Sequence, residues 1–188
     1  MSDQNSDLRL HRNDRFNRIV RHYRERYEAL SNEGVAHYCL TALGAWATSR
    51  APHVYYFFRI IDLSKYKLFV DLGSGDGIVT CIAGLFTRAI GIETDLELCR
   101  VAQNASSKLN LDDTVSFTCG DYLTQRIWKA DCLYLYPEKP FHSLEKYLTN
   151  WQGTLLVYGP HLPPRRFVPI QKLQCAKERL VLYQNPVF

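Results

Sequence analysis

Three glycines alternate with other residues directly after a short apolar run, and this spacing is the strongest chemical signal in the chain. The segment from Phe69 to Gly77 reads Phe-Val-Asp-Leu-Gly-Ser-Gly-Asp-Gly. Gly73, Gly75 and Gly77 lack the Cβ atoms that would keep a ligand away from the backbone. A buried strand, such a turn and a following helix predict a ligand-binding loop with helix N-terminal amides directed at the ligand.

Two acidic residues, Asp71 and Asp76, discriminate between the ligands that glycine-rich loops bind. The dinucleotide fingerprint is G-x-G-x-x-G, whereas this loop has G-x-G-x-G, and no Gly-Lys-Ser or Gly-Lys-Thr follows to form a P-loop. Negative charge in the turn repels a pyrophosphate and suits a ligand with an ammonium and a sulfonium group, the charge pattern of S-adenosylmethionine. The residues of the loop that we predict to bind this cofactor are Asp71, Gly73, Ser74, Gly75 and Gly77.

An acid closes the next apolar segment, which runs from Ala89 to Glu93. Glu93 lies roughly 20 residues beyond the glycine loop, where doubly wound sheets place an acid that accepts hydrogen bonds from ribose hydroxyls. A helix cap is the alternative role, but Thr94 or Asp95 can cap the helix that follows. We therefore predict that Glu93 binds the cofactor ribose.

A third apolar segment, Val115 to Cys119, leads into another acid. Asp121 is predicted to accept a hydrogen bond from the adenine amino group, and Tyr122 or Leu123 to cover the ring. Gly-Asp after a strand is also an ordinary turn sequence, which is the alternative reading. The order of the three segments along the chain favours the cofactor role.

The elements that would position these residues alternate between strands and helices. Apolar runs predict strands at 68–72, 89–93, 114–119, 131–136, 154–159, 167–175 and 178–184. Helical patterns at 78–86, 95–109 and 141–149 supply the crossovers that parallel strands require. The predicted fold class is therefore α/β.

This arrangement, from about residue 53 to 186, resembles the class I, seven-strand S-adenosylmethionine-dependent methyltransferases. The motif from Val70 to Gly77 is its specific part, and Glu93 and Asp121 support it. The resemblance implies a Rossmann-like, doubly wound, mostly parallel sheet with a C-terminal antiparallel hairpin, and an enzyme that transfers a methyl group. We expect a helical N-terminal extension over residues 1–52 and a methyltransferase domain over residues 53–188.

The N-terminal extension is rich in arginine and predicts an amphipathic helix. Apolar residues recur at helical spacing from Phe16 to Leu30, with six arginines between Arg12 and Arg26 on the other faces. Helices are also predicted over 34–48 and 53–61, and together the three could form a lid over the cofactor. The arginines of the first helix either form a solvated face or provide a surface for an acidic partner. A net charge of +4 is too small to indicate nucleic-acid binding, although the arginines permit it.

The methyl acceptor should be met at the end of the fourth strand, where the chain reads Leu-Tyr-Leu-Tyr-Pro-Glu-Lys-Pro. The motifs Asn-Pro-Pro-Tyr and Asp-Pro-Pro-Tyr, which hold planar amino groups of bases or glutamine, do not occur, and their absence argues against an amino-methylase of bases or of glutamine. Tyr136 and Glu138 are the predicted catalytic residues: Glu138 would accept a proton, and Tyr134 and Tyr136 would hold a neutral amine.

The acceptor class is left with several candidates. The chain is similar to the compact protein lysine methyltransferases of archaea and mitochondria, which implies a lysine amine, but its arginine-rich extension and tyrosine-rich fourth strand differ from them. A small-molecule acceptor and a non-catalytic, cofactor-binding subunit of a complex are the alternatives, because binding and methyl transfer are separable.

Several function classes have no signal in the sequence. Six cysteines occur without a C-x-x-C pair, so we expect reduced core residues and no metal site. No apolar run reaches the length of about 18 residues that spans a membrane, and the polar N-terminus does not resemble a signal peptide. We expect a cytoplasmic protein without a membrane partner.

Overall fold

The computed structural model describes residues 2–32, 39–41, 44–46, 49–159 and 162–186. Its helices are α1 (Ser2–Asn32), α2 (Ala51–Ile60), α3 (Ile78–Ala83), α4 (Leu96–Lys108) and α5 (His142–Tyr147). Its strands are β1 (Cys39–Thr41), β2 (Gly44–Trp46), β3 (Leu68–Leu72), β4 (Arg88–Glu93), β5 (Val115–Cys119), β6 (Cys132–Leu135), β7 (Thr154–Tyr158), β8 (Val168–Cys175) and β9 (Glu178–Gln184). Short 3₁₀ turns lie at Leu63–Lys65, Tyr122–Thr124 and Ile127–Lys129.

A seven-stranded sheet with the order β5-β4-β3-β6-β7-β9-β8 forms the centre of the molecule. The strands from β3 to β7 are parallel to their neighbours, and β9 and β8 add an antiparallel hairpin at one edge. The predicted fold class, a doubly wound and mostly parallel sheet with a C-terminal hairpin, is confirmed. The strand order reverses beside β3, between β4 and β6, and such a switch point opens a crevice at the carboxyl ends of the strands.

Alternation along each strand divides the core between the two faces of the sheet. Phe69 packs in one cluster and its neighbour Val70 in the other. One cluster contains residues of α1, α2, α3 and α4, and we call this side the α1–α4 face. The other contains residues of α5 and of the 3₁₀ turn at Ile127–Lys129, and we call it the α5 face.

Helix α1 packs on the α1–α4 face through its apolar stripe. Ile19 and Tyr23 are each only 1% exposed. The ring of Phe16 stacks on Tyr55 of α2 with 4.0 Å between centroids, and the guanidinium of Arg12 lies 4.5 Å from the centroid of Phe86. The predicted amphipathic helix is therefore present and longer than its sequence signal; the division of the chain at residue 52 stays a prediction.

The helix predicted over 34–48 is wrong where the structure describes this stretch. Residues 39–41 and 44–46 form β1 and β2, which pair antiparallel with Leu40 opposite Ala45. Gly44 disfavours a helix interior by about 1 kcal/mol relative to alanine. Apolar residues lie at both even and odd positions from Tyr38 to Trp46, so the pattern does not discriminate between a helix and a strand. The rest of the predicted helix lies outside the described residues, and the lid that it was expected to complete stays a prediction.

The cysteines largely follow the prediction of buried thiols. Cys81, Cys99 and Cys132 are buried, but Cys119 at the end of β5 is exposed, so the expectation of a core position is wrong there. Burial raises the pKa of the Cys81 thiol to about 12. In the part of the chain that the structure describes, no helix has the length and apolar character needed to cross a membrane.

Strand β8 forms one edge of the sheet and is mostly exposed. Val168 and Ile170 are 45% and 50% exposed. The pairing with β9 is interrupted by a bulge between Pro169 and Gln171, which shifts the register of the two strands.

Candidate cofactor site

A pocket of about 510 Å³ opens at the carboxyl ends of the central strands, at the switch point of the sheet. Its volume lies within the range of about 300 to 1,000 Å³ that is typical of small-molecule sites. Six of the predicted site residues line it: Gly73, Glu93, Asp121, Tyr122, Tyr136 and Glu138. The structure thus brings together the ends of β3, β4, β5 and β6, as parallel topology requires. Asp71, Ser74, Gly75 and Gly77 are not part of this lining.

The amide groups of the glycine loop are already bonded within the protein. Gly73 and Ser74 donate to the carbonyl of Ile92 at 2.9 and 3.0 Å, and Gly77 donates to Ser74 at 2.9 Å. Gly75 donates to Glu93 Oε2 at 2.9 Å. A phosphate cradle needs several amides directed at the ligand. Because these four amides already donate hydrogen bonds within the protein, the loop does not have the geometry of a pyrophosphate site.

Gly73 and Gly77 serve different purposes although both have positive φ angles, +79° and +87°. A Cβ added at Gly73 meets no atom within 4 Å, so a ligand can approach the backbone there. A Cβ at Gly77 lies 2.6 Å from Phe117 and 2.7 Å from Ala102. Gly77 therefore permits close packing of the loop against α4 and β5 rather than contact with a ligand.

Glu93 links the glycine loop to the beginning of α4. Its Oε1 accepts hydrogen bonds from the amides of Thr94 and Asp95 at 2.7 and 3.0 Å, while Oε2 accepts from Gly75. Asp95 caps α4 by accepting from the amides of Glu97 and Leu98, so Glu93 is not needed as the cap. The carboxylate is thus oriented from three sides at the wall of the pocket.

Asp71 lies behind the loop and is only 2% exposed. Its Oδ2 accepts a hydrogen bond of 2.8 Å from Thr80 of α3. Burial raises the pKa of Asp71 to about 7, and the charge of Glu93 adds to the increase, whereas the bond from Thr80 opposes it. Asp71 is placed to fix the position of α3 beneath the loop. The Ser74 hydroxyl is also turned inward, and no described residue bonds to it.

Helix α1 holds the loop at Asp76, a contact that the sequence did not reveal. The hydroxyl of Tyr23 donates to the Asp76 carbonyl at 2.8 Å, and that of Tyr27 donates to Asp76 Oδ2 at 2.9 Å. Arg26 Nε lies 4.0 Å from the same carboxylate oxygen. We call Tyr23, Arg26 and Tyr27 the α1 clamp. Burial raises the pKa of Asp76 to about 6, against the opposing effects of Tyr27 and Arg26.

The adenine-side residues of the prediction lie at the pocket, next to the end of β5. Asp121 Oδ1 accepts from the Leu123 amide at 2.8 Å and so caps the 3₁₀ turn that begins at Tyr122. Asp121 therefore stabilises a turn, as the alternative interpretation of the sequence proposed, and also lies at the wall of the pocket. Burial raises the pKa of Tyr122, with a smaller contribution from the charge of Asp121.

The predicted catalytic residues lie at the opposite wall. Tyr136 is 38% exposed and meets the ring of Tyr158 edge-on, with 5.2 Å between centroids. Glu138 is exposed and lines the pocket. Tyr134 does not join them, so the idea that it holds an acceptor amine is wrong. It is 2% exposed in the core of the α1–α4 face, where its hydroxyl lies 2.9 Å from Ser49 Oγ.

The overall fold is that of class I S-adenosylmethionine-dependent methyltransferases, as comparison with solved structures shows. An RNA methyltransferase from Salinibacter ruber, in complex with S-adenosyl-L-homocysteine, matches with a TM-score of 0.66 and 22% identity over 74% of this chain and 94% of that chain. A methyltransferase from Geobacter sulfurreducens matches with a TM-score of 0.58 and 17% identity over 74% and 80%. The M1A22 tRNA methyltransferase of B. subtilis matches with a TM-score of 0.56 and 15% identity over 75% and 67%. No family model and no curated protein matches the chain in sequence.

Proposed function

We propose that the protein is a methyltransferase that binds S-adenosylmethionine in the pocket at the switch point of the sheet. The observation that carries the proposal is the joint placement of Gly73, Glu93 and Asp121 around one cavity. The S. ruber enzyme, which shares the fold, was solved with the demethylated form of this cofactor. The lysine acceptor suggested by the sequence has no support from the enzymes compared, so the proposal does not include it.

The residues present fit this cofactor in shape and charge. The open space above Gly73 admits a ligand to the backbone. Three carboxylates, those of Glu93, Asp121 and Glu138, line the pocket together with one lysine, Lys139. That excess of negative charge suits a ligand that carries an ammonium and a sulfonium group. In this assignment Glu93 holds the ribose hydroxyls, and Asp121 and Tyr122 hold the adenine.

Methyl transfer places modest demands on the protein, because the sulfonium of the cofactor is already an activated leaving group. The chain chiefly has to align an acceptor atom with the methyl group and exclude competing geometries. We assign Tyr136 and Glu138 to the acceptor side, with Glu138 as the group that accepts a proton from a protonated nucleophile.

Calorimetry with S-adenosylmethionine tests the cofactor site. Asp121→Ser removes the pocket carboxylate but retains a residue that caps a helical turn well. Asp95→Ser is the matched control, because Asp95 caps α4 in the same manner and does not line the pocket. We expect binding to weaken about 10- to 100-fold in Asp121→Ser, as for a lost hydrogen bond to a charged group, and to be unchanged in Asp95→Ser. Absence of binding by the wild-type protein would refute the proposal.

Catalysis is tested separately with cofactor labelled on its methyl group. Label should enter an acceptor in a cell extract, and Glu138→Gln and Tyr136→Phe should lower its rate of transfer with little change in cofactor affinity. A protein that binds the cofactor but labels nothing would be the non-catalytic subunit that the sequence left open. Wild-type turnover in both variants would remove Tyr136 and Glu138 from the mechanism.

A further inference from the structure

We infer that the α5 face binds single-stranded RNA and leads it to the pocket, which makes RNA the acceptor class. The inference rests on the proposed function for its catalytic part only, since RNA binding is measurable without methyl transfer. Its basis is a surface that we call the basic strip, made of Arg126, Lys129, Lys146, Arg165 and Arg166 with the indole of Trp128.

Direct contacts bring the three segments of the basic strip together. The rings of Trp128 and Tyr147 lie 5.5 Å apart, and the Tyr147 hydroxyl donates to the Gln125 carbonyl at 2.6 Å, so α5 packs against the 3₁₀ turns. On its other side, the amides of Arg165 and Arg166 donate to Glu145 Oε1 at 2.6 and 2.8 Å. Helix α5 therefore stands between two cationic segments and carries Lys146 itself.

Two carboxylates beside the basic strip, those of Glu145 and Asp131, accept hydrogen bonds from backbone amides. Glu145 is 3% exposed and bonded to the two arginine amides and to His142 Nδ1 at 3.1 Å. Burial alone would raise the pKa of Glu145, but the hydrogen bonds outweigh it and the pKa is lowered. Asp131 accepts hydrogen bonds from the amides of Lys67 and Leu68. All five cationic side chains of the basic strip are exposed.

Trp128 gives the basic strip a feature that charge alone does not supply. It is 50% exposed and is flanked in sequence by Arg126 and Lys129. Proteins that bind single-stranded nucleic acid combine cations along the phosphates with aromatic faces on which bases stack. RNA presents such unstacked bases in loops and ends. The combination therefore matches RNA better than an acidic peptide, which offers no bases.

The position of the basic strip connects it to chemistry. Ser143 and Leu144 of α5 line the pocket, as does Tyr122 at the beginning of the 3₁₀ turns. A strand bound along α5 thus has the acceptor side of the pocket, with Tyr136 and Glu138, at one end of its path. Helix α5, which carries Lys146, thus also forms part of the wall of the proposed active site.

Anisotropy of a fluorescent, mixed-sequence, 20-nucleotide RNA tests the inference across a salt series. The variant Arg126→Gln/Lys129→Gln/Arg165→Gln removes three cations of the basic strip, and Arg18→Gln/Arg21→Gln/Arg24→Gln removes three from α1 as a control matched in charge. Each phosphate contact to a single strand contributes about 0.7 to the slope of log K against log salt. We expect the strip variant to lower the slope by about 2, and the control to leave it unchanged. Trp128→Ala should weaken binding about tenfold through lost stacking.

Several results would overturn the inference: no binding of RNA by the wild type at low salt, equal loss in the α1 control, or equal affinity for DNA of the same sequence. Label that enters protein instead of RNA would overturn the acceptor class. All substituted side chains are exposed, and thermal unfolding together with calorimetry of S-adenosylmethionine shows that the variants are folded. Intact cofactor binding with no RNA binding rejects this inference alone, whereas the reverse rejects the cofactor site.

Discussion

The α1–α4 face and the α5 face of the sheet both carry many cations, but their acids lie in different places. On α1 the exposed arginines Arg18, Arg21 and Arg24 have acids four residues away, at 14, 25 and 28. Such spacing places opposite charges side by side on a helix. On the α5 face Glu145 and Asp131 bind backbone amides instead. The net charge of each surface therefore depends on whether its carboxylates lie beside the cations or bind backbone amides. The number of arginines alone does not determine it.

The two faces also treat buried acids differently. Asp71 and Asp76 are buried on the α1–α4 face, and their burial raises the pKa to about 7 and about 6, respectively. Glu145 is equally buried on the α5 face, yet its pKa is lowered because amides and His142 bond to it. Ionisation of Asp71 and Asp76 near neutral pH therefore destabilises the α1–α4 face, whereas ionisation of Glu145 stabilises the α5 face.

The largest expected effect tests the close packing of the α1–α4 face. Gly77→Ala should lower the free energy of unfolding by about 4 kcal/mol, from the left-handed backbone and the overlap with Phe117 and Ala102. Gly73→Ala shares the positive φ but has open space, so it should cost only about 1 to 2 kcal/mol. Denaturant unfolding measures both. Equal losses would mean that the packing around Gly77 is not tight.

A second variant removes the carboxylate that holds part of the basic strip in position. Glu145→Ala leaves the amides of Arg165 and Arg166 without their acceptor and should cost about 3 kcal/mol. It should also weaken RNA binding, because the two arginines are no longer held beside α5. Glu25→Ala on the exposed face of α1 is the control and should change unfolding by less than about 0.5 kcal/mol. A stable variant with unchanged RNA affinity would show that Glu145 does not position the strip.

The α1 clamp provides a third test, on the opposite face. Tyr27→Phe removes the hydrogen bond to Asp76 Oδ2 and should cost about 2 kcal/mol, as for a bond to a charged group. Affinity for S-adenosylmethionine should fall as well, because Asp76 belongs to the glycine loop. Tyr56→Phe, at an exposed position of α2, is the matched control. Loss of stability without loss of affinity would separate the clamp from the cofactor site.

A fourth test is a pH dependence of opposite sign on the two faces. The lowered pKa of Glu145 contributes stability above its ordinary value of about 4.3, and this contribution is lost as the pH falls through the folded-state pKa. The raised pKa values of Asp71 and Asp76 cost stability as the pH rises toward 7. Asp71→Asn should therefore flatten the decline between pH 5 and 7, and Glu145→Gln the decline below about pH 4.3. Unfolding curves across this range check both signs.

Strands and the glycine loop were predictable because local patterns determine them. The seven strands of the sheet occur within one residue of their predicted ends. For the five parallel strands, the signal is an apolar run that marks a strand buried on both faces. Residues 34–48 were not predictable in the same way, because their apolar residues lie at both odd and even positions, and the pairing between β1 and β2 decides the outcome.

The site was predictable only as far as strand ends determine it. Gly73, Glu93 and Asp121 lie at, or within two residues of, the carboxyl ends of three parallel strands, and these ends meet at one edge of the sheet. The double use of Glu93, which also bonds to the Gly75 amide, depends on the folded shape of the loop. Contacts such as Tyr27 with Asp76 join residues 49 positions apart and have no local signal. The basic strip escaped prediction for the same reason: its segments are distant in sequence, and only folding buries Glu145 among them.

The bulge at the outer strand of the hairpin has a consequence for how the sheet ends. A regular edge offers a row of donors and acceptors in phase, on which another chain can continue the ladder. The bulge between Pro169 and Gln171 puts the groups on its two sides out of step, and the proline supplies no N–H at all. The exposed Lys172 adds a charge to the same border. The edge of the sheet at β8 is therefore a poor template for the addition of a further strand.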